Sequence, residues 1–368
     1  MNKTKTISLG SEKQVGADGA STKFSYFNTS PESPDGKKII YLRLKREPID
    51  IERSAKVPGE LWICDRDLKG HRLVTDLKGI SSEDGALQQW VDNHHVALLD
   101  SGVIRVVDVR NGRDILEKRI ETPFIGHDSS HGKITFTIAK TQGKSSPGIY
   151  ELDCFTREIK PVIRNADCGN VSLPSHLDLK EVLPVEDWRF LHCQYSPDGK
   201  KVSFRVDAGS PDRYQLLGIC NIDGSGFKIT DKPLHQLWYD NKSITGHVRF
   251  GDHGKQLSPE KKFLLMRWDL DGKYIETMGI KGNHLAISPA GDCFVSETMY
   301  YTNPVVVTLT LKGQKDKTIE IACFDPYDLT WNRFFHVNPA FSRDGKRIYY
   351  SKPLNEKYNG TFYREIKD

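Results

Sequence analysis

His192-Cys193-Gln194-Tyr195-Ser196-Pro197-Asp198-Gly199-Lys200-Lys201-Val202-Ser203-Phe204-Arg205-Val206 carries the pattern that decides the fold. A histidine on a short strand leads into a Pro-Asp-Gly turn, and β-branched and aromatic residues follow. Proline presets the first central turn position and glycine takes the positive φ that closes it. The alternating Val-Ser-Phe-Arg-Val run suits a pleated, half-buried surface. Related signals stand at Pro34-Asp35-Gly36, Glu83-Asp84-Gly85, Ser130-His131-Gly132, Asp252-His253-Gly254, Pro289-Ala290-Gly291 and Arg343-Asp344-Gly345. Four short strands with their turns need roughly 40–50 residues, the size of a propeller blade. The reading is an all-β, seven-bladed β-propeller forming one domain over residues 1–368, with insertions in the longer units.

Other strands keep the same plan. Lys38–Arg43 and Arg347–Ser351 follow their turns, and Gly59–Asp67, Val103–Val109, Gly148–Asp153 and Gly218–Gly224 read as third strands. Lys160–Ile163 is short and polar, as an outer edge should be. Thr4–Leu9 is expected to complete the last blade beside Thr361–Arg364, joining the N- and C-terminal strands and removing free edges. Asp178–Asp187 is expected to hold a short helix or an extended insertion.

Composition agrees and excludes some classes. The chain has 368 residues, 37% of them hydrophobic, with 30 glycines and 18 prolines, which suits a turn-rich β protein. A net charge of +4 permits an acidic substrate but lacks the concentrated basic stripe of a nucleic-acid binder. The seven cysteines are scattered without a Cys-x-x-Cys pair, so neither a disulfide framework nor a zinc knuckle follows. No run of about 18 apolar residues occurs, so no membrane partner is expected. A polar start without a signal-like apolar core points to the cytoplasm, or to the periplasm if a leader has been removed.

The first strand of each propeller blade lines the central channel, so a position five residues before each turn should be equivalent from blade to blade. Those positions hold Thr29, Lys78 and Ile125 early in the chain, then His192, His247, His284 and Asn338, with His336 two residues before Asn338. Histidines confined to one arc suggest a site, because neutral imidazoles ligate divalent metals and also act as general bases. The plainer alternative is that such histidines only bond a neighbouring turn. His71, His94, His95 and His176 lack the register and read as surface or packing residues. His127, in Gly126-His127-Asp128, reads as a structural Gly-His.

Thr245-Gly246-His247-Val248-Arg249-Phe250, Gly282-Asn283-His284-Leu285-Ala286-Ile287-Ser288 and Arg333-Phe334-Phe335-His336-Val337-Asn338-Pro339-Ala340-Phe341-Ser342 resemble, in order, three motifs of the oligogalacturonate lyases. The turns alone are also similar to TolB-like propellers. The first resemblance implies cleavage of uronic-acid (pectin-like) oligosaccharides by β-elimination, a carbon-oxygen lyase reaction. It implies His247 as a catalytic histidine, Arg213 in Pro211-Asp212-Arg213-Tyr214 as a catalytic arginine, and His284 and His336 as ligands of a divalent cation such as manganese or calcium. The family's last motif supplies a glutamine and two histidines, where this chain offers Arg333, His336 and Asn338. A guanidinium cannot ligate a metal, while Asn338 is a weaker oxygen donor. The cation is therefore expected to be weakened or absent, with Arg333 a candidate counter-charge for the substrate carboxylate. His192, Arg333, Arg249, Tyr301 and Trp331 are the candidate substrate-binding residues; Trp188, Trp238, Tyr239 and Tyr300 are further aromatics near the same rim, and Arg189 a further cation. The competing reading is a non-catalytic, TolB-like propeller that binds a glycan or a protein.

Overall fold

The computed structural model describes all of the chain except residues 1–6, 17–18, 46–55, 82–83, 121–123, 140–145, 176, 178–179, 181, 210–214, 231–233, 248–263, 299–301, 315–316, 326–335, 356 and 368. Seven antiparallel sheets follow one another along the sequence. Blade one contains Thr22–Lys23, Lys38–Leu44, Lys56–Asp65 and Arg72–Ser81; blade two contains Gln89–Trp90, His95–Asp100, Val103–Asp108 and Arg113–Arg119. Blade three runs Ile125–Ser130, Lys133–Ile138, Gly148–Asp153 and Ile159–Arg164; blade four runs Arg189–Tyr195, Lys201–Asp207, Gln215–Asn221 and Lys228–Thr230. Blade five holds Leu234–Asp240, Ser243–His247, Leu264–Asp269 and Tyr274–Lys281; blade six holds Leu285–Ile287, Cys293–Glu297, Val305–Leu311 and Thr318–Phe324. Blade seven combines Ala340–Phe341, Arg347–Pro353 and Asn359–Lys367 with the N-terminal Ser8–Leu9, and Lys13–Gln14 also pairs with Asn359–Lys367. This is the seven-bladed β-propeller that the turn repeat predicts. The expected closure is present too: Ser8 pairs with Lys367 and Leu9 with Ile366.

The chain forms two compact units, Met1–Val96 with Asp108–Arg113 and His284–Asp368, and Ala97–Val107 with Asp114–Asn283. Within the first, Tyr349 and Tyr363 of blade seven pack with Phe24, Ile39 and Tyr41 of blade one. Thr361 N–H donates to Thr22 Oγ1 at 3.1 Å, carrying the join into the backbone. In the second unit, Ile149 and Ile163 of blade three pack with Phe190, Phe204 and Val206 of blade four. Burial of each such side chain contributes about 1.5–3 kcal/mol. Gly218 permits one of these contacts, since a Cβ there would lie 2.3 Å from the Phe204 ring.

Two turns differ from the sequence reading. Glu83-Asp84-Gly85 does not open blade two: Ser81 and Gly85 exchange backbone hydrogen bonds after the outer strand of blade one. Blade two turns instead at Asp92, whose Oδ1 accepts from the amides of His94 and His95 at 2.7 and 2.8 Å. Lys78 therefore belongs to blade one's outer strand, and Leu87 takes the equivalent place. Blade five turns at Asp240, which accepts from Lys242 N–H and the Ser243 hydroxyl; Asp252-His253-Gly254 lies outside the described residues. In the stretch expected to hold a short helix or an extended insertion, Asp178–Asp187, a 3-10 turn forms at Val185–Asp187, and another precedes it at Asn165–Cys168; residues 178–179 and 181 lie outside the described residues.

All seven cysteines are free. Burial pushes the thiols of Cys64, Cys168 and Cys220 up to about 12, which suits packing rather than reactivity. No helix among the described residues is long and apolar enough to cross a membrane.

Candidate functional site

The inner strands are where the ladder becomes irregular. Register shifts fall between Ile125 and Ser129, between Leu191 and Gln194, and between Leu234 and Leu237. A bulge leaves residues unpaired and re-aims their side chains. His192 and His235 occupy such bulges with φ of +53° and +48°, and Asn338 has φ +47°. Left-handed backbone is uncommon outside glycine, with Asn and His among the residues that tolerate it best.

In the second unit these bulges assemble a row of imidazoles. Ring centroids lie 5.1 Å apart for His127 and His192, 5.8 Å for His192 and His235, and 4.9 Å for His235 and His247. Side-chain amides fasten the two bulges: Gln236 Nε2 donates to the His192 carbonyl at 2.8 Å, and Gln194 Nε2 donates to the Gln236 carbonyl at 2.7 Å. The Asn283 carbonyl lies 3.0 Å from His247 Nδ1 and 3.1 Å from His235 Nδ1. His247 ends the second strand of blade five, Ser243–His247, so it does not hold the repeat position assigned from the turn at 252–254. His235 holds that position, and it was missed because Asp240-Asn241-Lys242 lacks the glycine that marks the other turns. His127, read as a structural Gly-His, packs on His192.

The first unit holds a second cluster. His284 precedes the inner strand of blade six, and its ring lies 4.8 Å from that of His336. Phe27 stacks on His284 at 5.0 Å. Glu297, at the end of Cys293–Glu297, accepts from His284 Nδ1–H at 2.7 Å and from the His284 backbone N–H at 3.2 Å. Both side chains are buried, 1% and 2% exposed. Asn338, 2% exposed, has neither amide atom hydrogen-bonded among the described residues. A buried, unsatisfied amide costs about 1–3 kcal/mol. Glu297 has no motif signal in the sequence; only its alternation on an inner-facing strand position could have drawn attention to it.

The structure thus brings His192 together with His247, and His284 with His336, while Arg213, Arg249, Tyr301, Trp331 and Arg333 lie outside the described residues, as does Tyr300. Trp188 and Trp238 are packing residues whose indole N–H groups donate to Leu183 and Gln194 carbonyls. Tyr239 lies under the Arg267 guanidinium, 3.8 Å from its ring centroid, and Arg189 pairs with Asp207.

A divalent cation would suit two imidazoles and an amide oxygen as borderline donors. Among the described residues no group of three or more His, Cys, Asp or Glu side chains is placed to hold a metal. Asn338 Oδ1, two residues along from His336 and without a hydrogen bond among the described residues, is a candidate third donor.

Fold and clusters define a seven-bladed propeller with histidine-lined inner strands. No protein-family model and no curated protein match the chain. Solved structures do. An oligogalacturonate lyase in complex with manganese is 12% identical with a TM-score of 0.66, covering 99% of this chain and 96% of that one. The oligogalacturonate lyase of Vibrio parahaemolyticus is 13% identical with a TM-score of 0.67, covering 98% and 96%. The β-propeller domain of Cps50 (Swd1) from Myceliophteria thermophila is 9% identical with a TM-score of 0.51, covering 96% and 99%. These likenesses establish the shared fold.

Proposed function

We propose that the protein is a lyase that cleaves uronic-acid oligosaccharides by β-elimination. The observation that carries this reading is the buried group of His284, Glu297 and His336, with Asn338 two residues along from His336, whose donor types suit a bound cation. A buried carboxylate is compensated by a nearby positive charge, whether an imidazolium or a cation held on the imidazole. With its Nδ1 proton held by Glu297, a neutral His284 carries its lone pair on Nε2. When bound there with His336 and Asn338, a divalent cation would neutralise a uronate carboxylate and so acidify the adjacent carbon-bound proton. The solved lyase that shares this fold is a manganese complex, which supports the choice of metal class.

His192 and His247 are the histidines to test as the base. A base takes the proton from the carbon next to the carboxylate, the electron pair becomes a carbon-carbon double bond, and the glycosidic oxygen leaves. His247 and His192 were reached through sequence; Arg213, Arg249 and Arg333 are further cations to be tested for steps that His residues do not account for. The experiment is an ultraviolet assay for unsaturated products on oligogalacturonates and other uronate glycans, with chelator and after manganese is restored. Product that disappears with chelator and returns with manganese is the expected result. Absence of unsaturated product across the panel would overturn the lyase reading, and tight glycan binding without turnover would favour a binding propeller instead.

A further inference from the structure

We propose that His235 is the imidazole through which the second unit's histidine row meets its ligand, and that His247 is a positioning residue behind it. The inference deepens the lyase reading and rests on it for the identity of the ligand. Its own grounds are geometric. Of the four residues, His127, His192 and His247 are buried, His247 completely, whereas His235 is only partly buried. A ring that is fully covered cannot take a proton from a sugar without a rearrangement; one that reaches solvent can.

The tautomers follow from one oxygen. The Asn283 carbonyl offers two lone pairs, and the Nδ1 atoms of His235 and His247 lie 3.1 and 3.0 Å from it. A carbonyl only accepts, so each ring must donate from Nδ1, and each Nε2 is then an acceptor in the neutral imidazole. His235 is also gripped on both sides. The His247 ring meets it edge-to-face at 77°, and the His192 ring lies nearly parallel at 21°. Its backbone is held at φ +48° on a bulge that the Gln194 and Gln236 amides fasten. The same left-handed backbone recurs at the equivalent Leu87, His192 and Asn338, so it belongs to the blade repeat and sets where the His235 ring is carried. In the neutral ring the result is a pre-oriented Nε2 lone pair on a partly exposed residue.

In the proposed reaction, His235 Nε2 takes the proton from the carbon beside the uronate carboxylate and becomes an imidazolium. The freed electron pair forms the double bond as the glycosidic carbon-oxygen bond breaks. The leaving oxygen takes a proton from water, and the imidazolium returns its own to water.

Diethyl pyrocarbonate acylates accessible, unprotonated imidazole nitrogen, and peptide mass spectrometry of the full chain reads the order of reaction. His235 should be modified first of the four, about tenfold or more faster than His247, and trigalacturonate should protect it. Modification of His247 or His192 ahead of His235 would overturn the assignment. On active protein, His235→Gln should lower kcat by about 10²–10⁴-fold with KM little changed, while His247→Gln should lower kcat less and alter the His235 modification rate. Undiminished turnover in His235→Gln also overturns it. If the wild type makes no unsaturated product, the lyase reading falls, yet the modification order on the unaltered chain still decides which imidazole faces ligand.

Discussion

Glu297 and Asn338 show how single side chains separate stability from function. Glu297 spends its carboxylate on one imidazole, so its removal should be felt at His284 Nε2. Glu297→Gln keeps the shape but removes the charge, and manganese affinity by titration calorimetry should fall about 10–100-fold, the usual effect of losing a ligand-orienting partner. Unchanged affinity would mean that His284 needs no such orientation. Asn338 gives the opposite signature. Its amide has no hydrogen-bond partner among the described residues, and its backbone is left-handed. Asn338→Gly preserves that backbone freedom and deletes the amide, so Tm should stay level or rise while manganese binding weakens. A large loss of Tm would show that the amide is structural.

The first turn of each blade is the most regular element. Ser196 and Ser342 hydroxyls each donate to the aspartate two residues on at 2.7 Å and accept from the amide five residues on, at 2.9 and 2.8 Å. Asp198 and Asp35 N–H groups then donate to Asn241 and Asn93 of the following blade at 3.0 and 2.9 Å. Ser342→Ala should therefore cost about 1 kcal/mol or somewhat more, measured by urea unfolding; no loss would mean that water replaces the hydroxyl. This lock explains what was legible in the sequence. A glycine turn carries its chemistry locally, as Ser-x-Asp-Gly in blades one, four and seven and in looser form at Ser130-His131-Gly132 and Pro289-Ala290-Gly291, so five of the seven blades could be placed from residues alone. Blades two and five turn on Asp-Asn without glycine, so a glycine signal misplaces both. In blade five the displaced register puts His247 where His235 stands. Glu297 and Gln236 stayed hidden for another reason: their roles come from bulges and from neighbouring strands, which no local pattern records.

At the scale of the molecule, Glu32 joins blade one to blade seven. It is fully buried, pairs with Arg66 at 3.0 Å, and accepts from the Tyr349 hydroxyl at 2.6 Å and the Arg343 amide at 3.0 Å. Arg66 also forks onto Asp344 with two contacts of 2.8 Å. Burial raises the Asp344 pKa, but the Ser342 hydroxyl, the Lys346 amide and Arg66 outweigh it and bring the carboxyl down to about 2. Asp35 is lowered chiefly by Ser33 and Asp198 chiefly by Ser196. Because the unfolded carboxyls bind protons at higher pH than the folded ones, this stability is present above about pH 5 and lost as pH falls toward 2. Tm should be flat between about pH 7 and 5 and decline below; a Tm that holds to pH 3 would contradict the assignment. Since Ser8 and Lys367 are cross-strand partners, fluorophores attached at these two positions would sit about one strand spacing apart, roughly 5 Å. Once unfolded, the same sites would separate by many tens of ångströms. Energy transfer between them would therefore report the opening of the last blade directly, and its timing relative to loss of the whole β signal would tell whether this latch yields first.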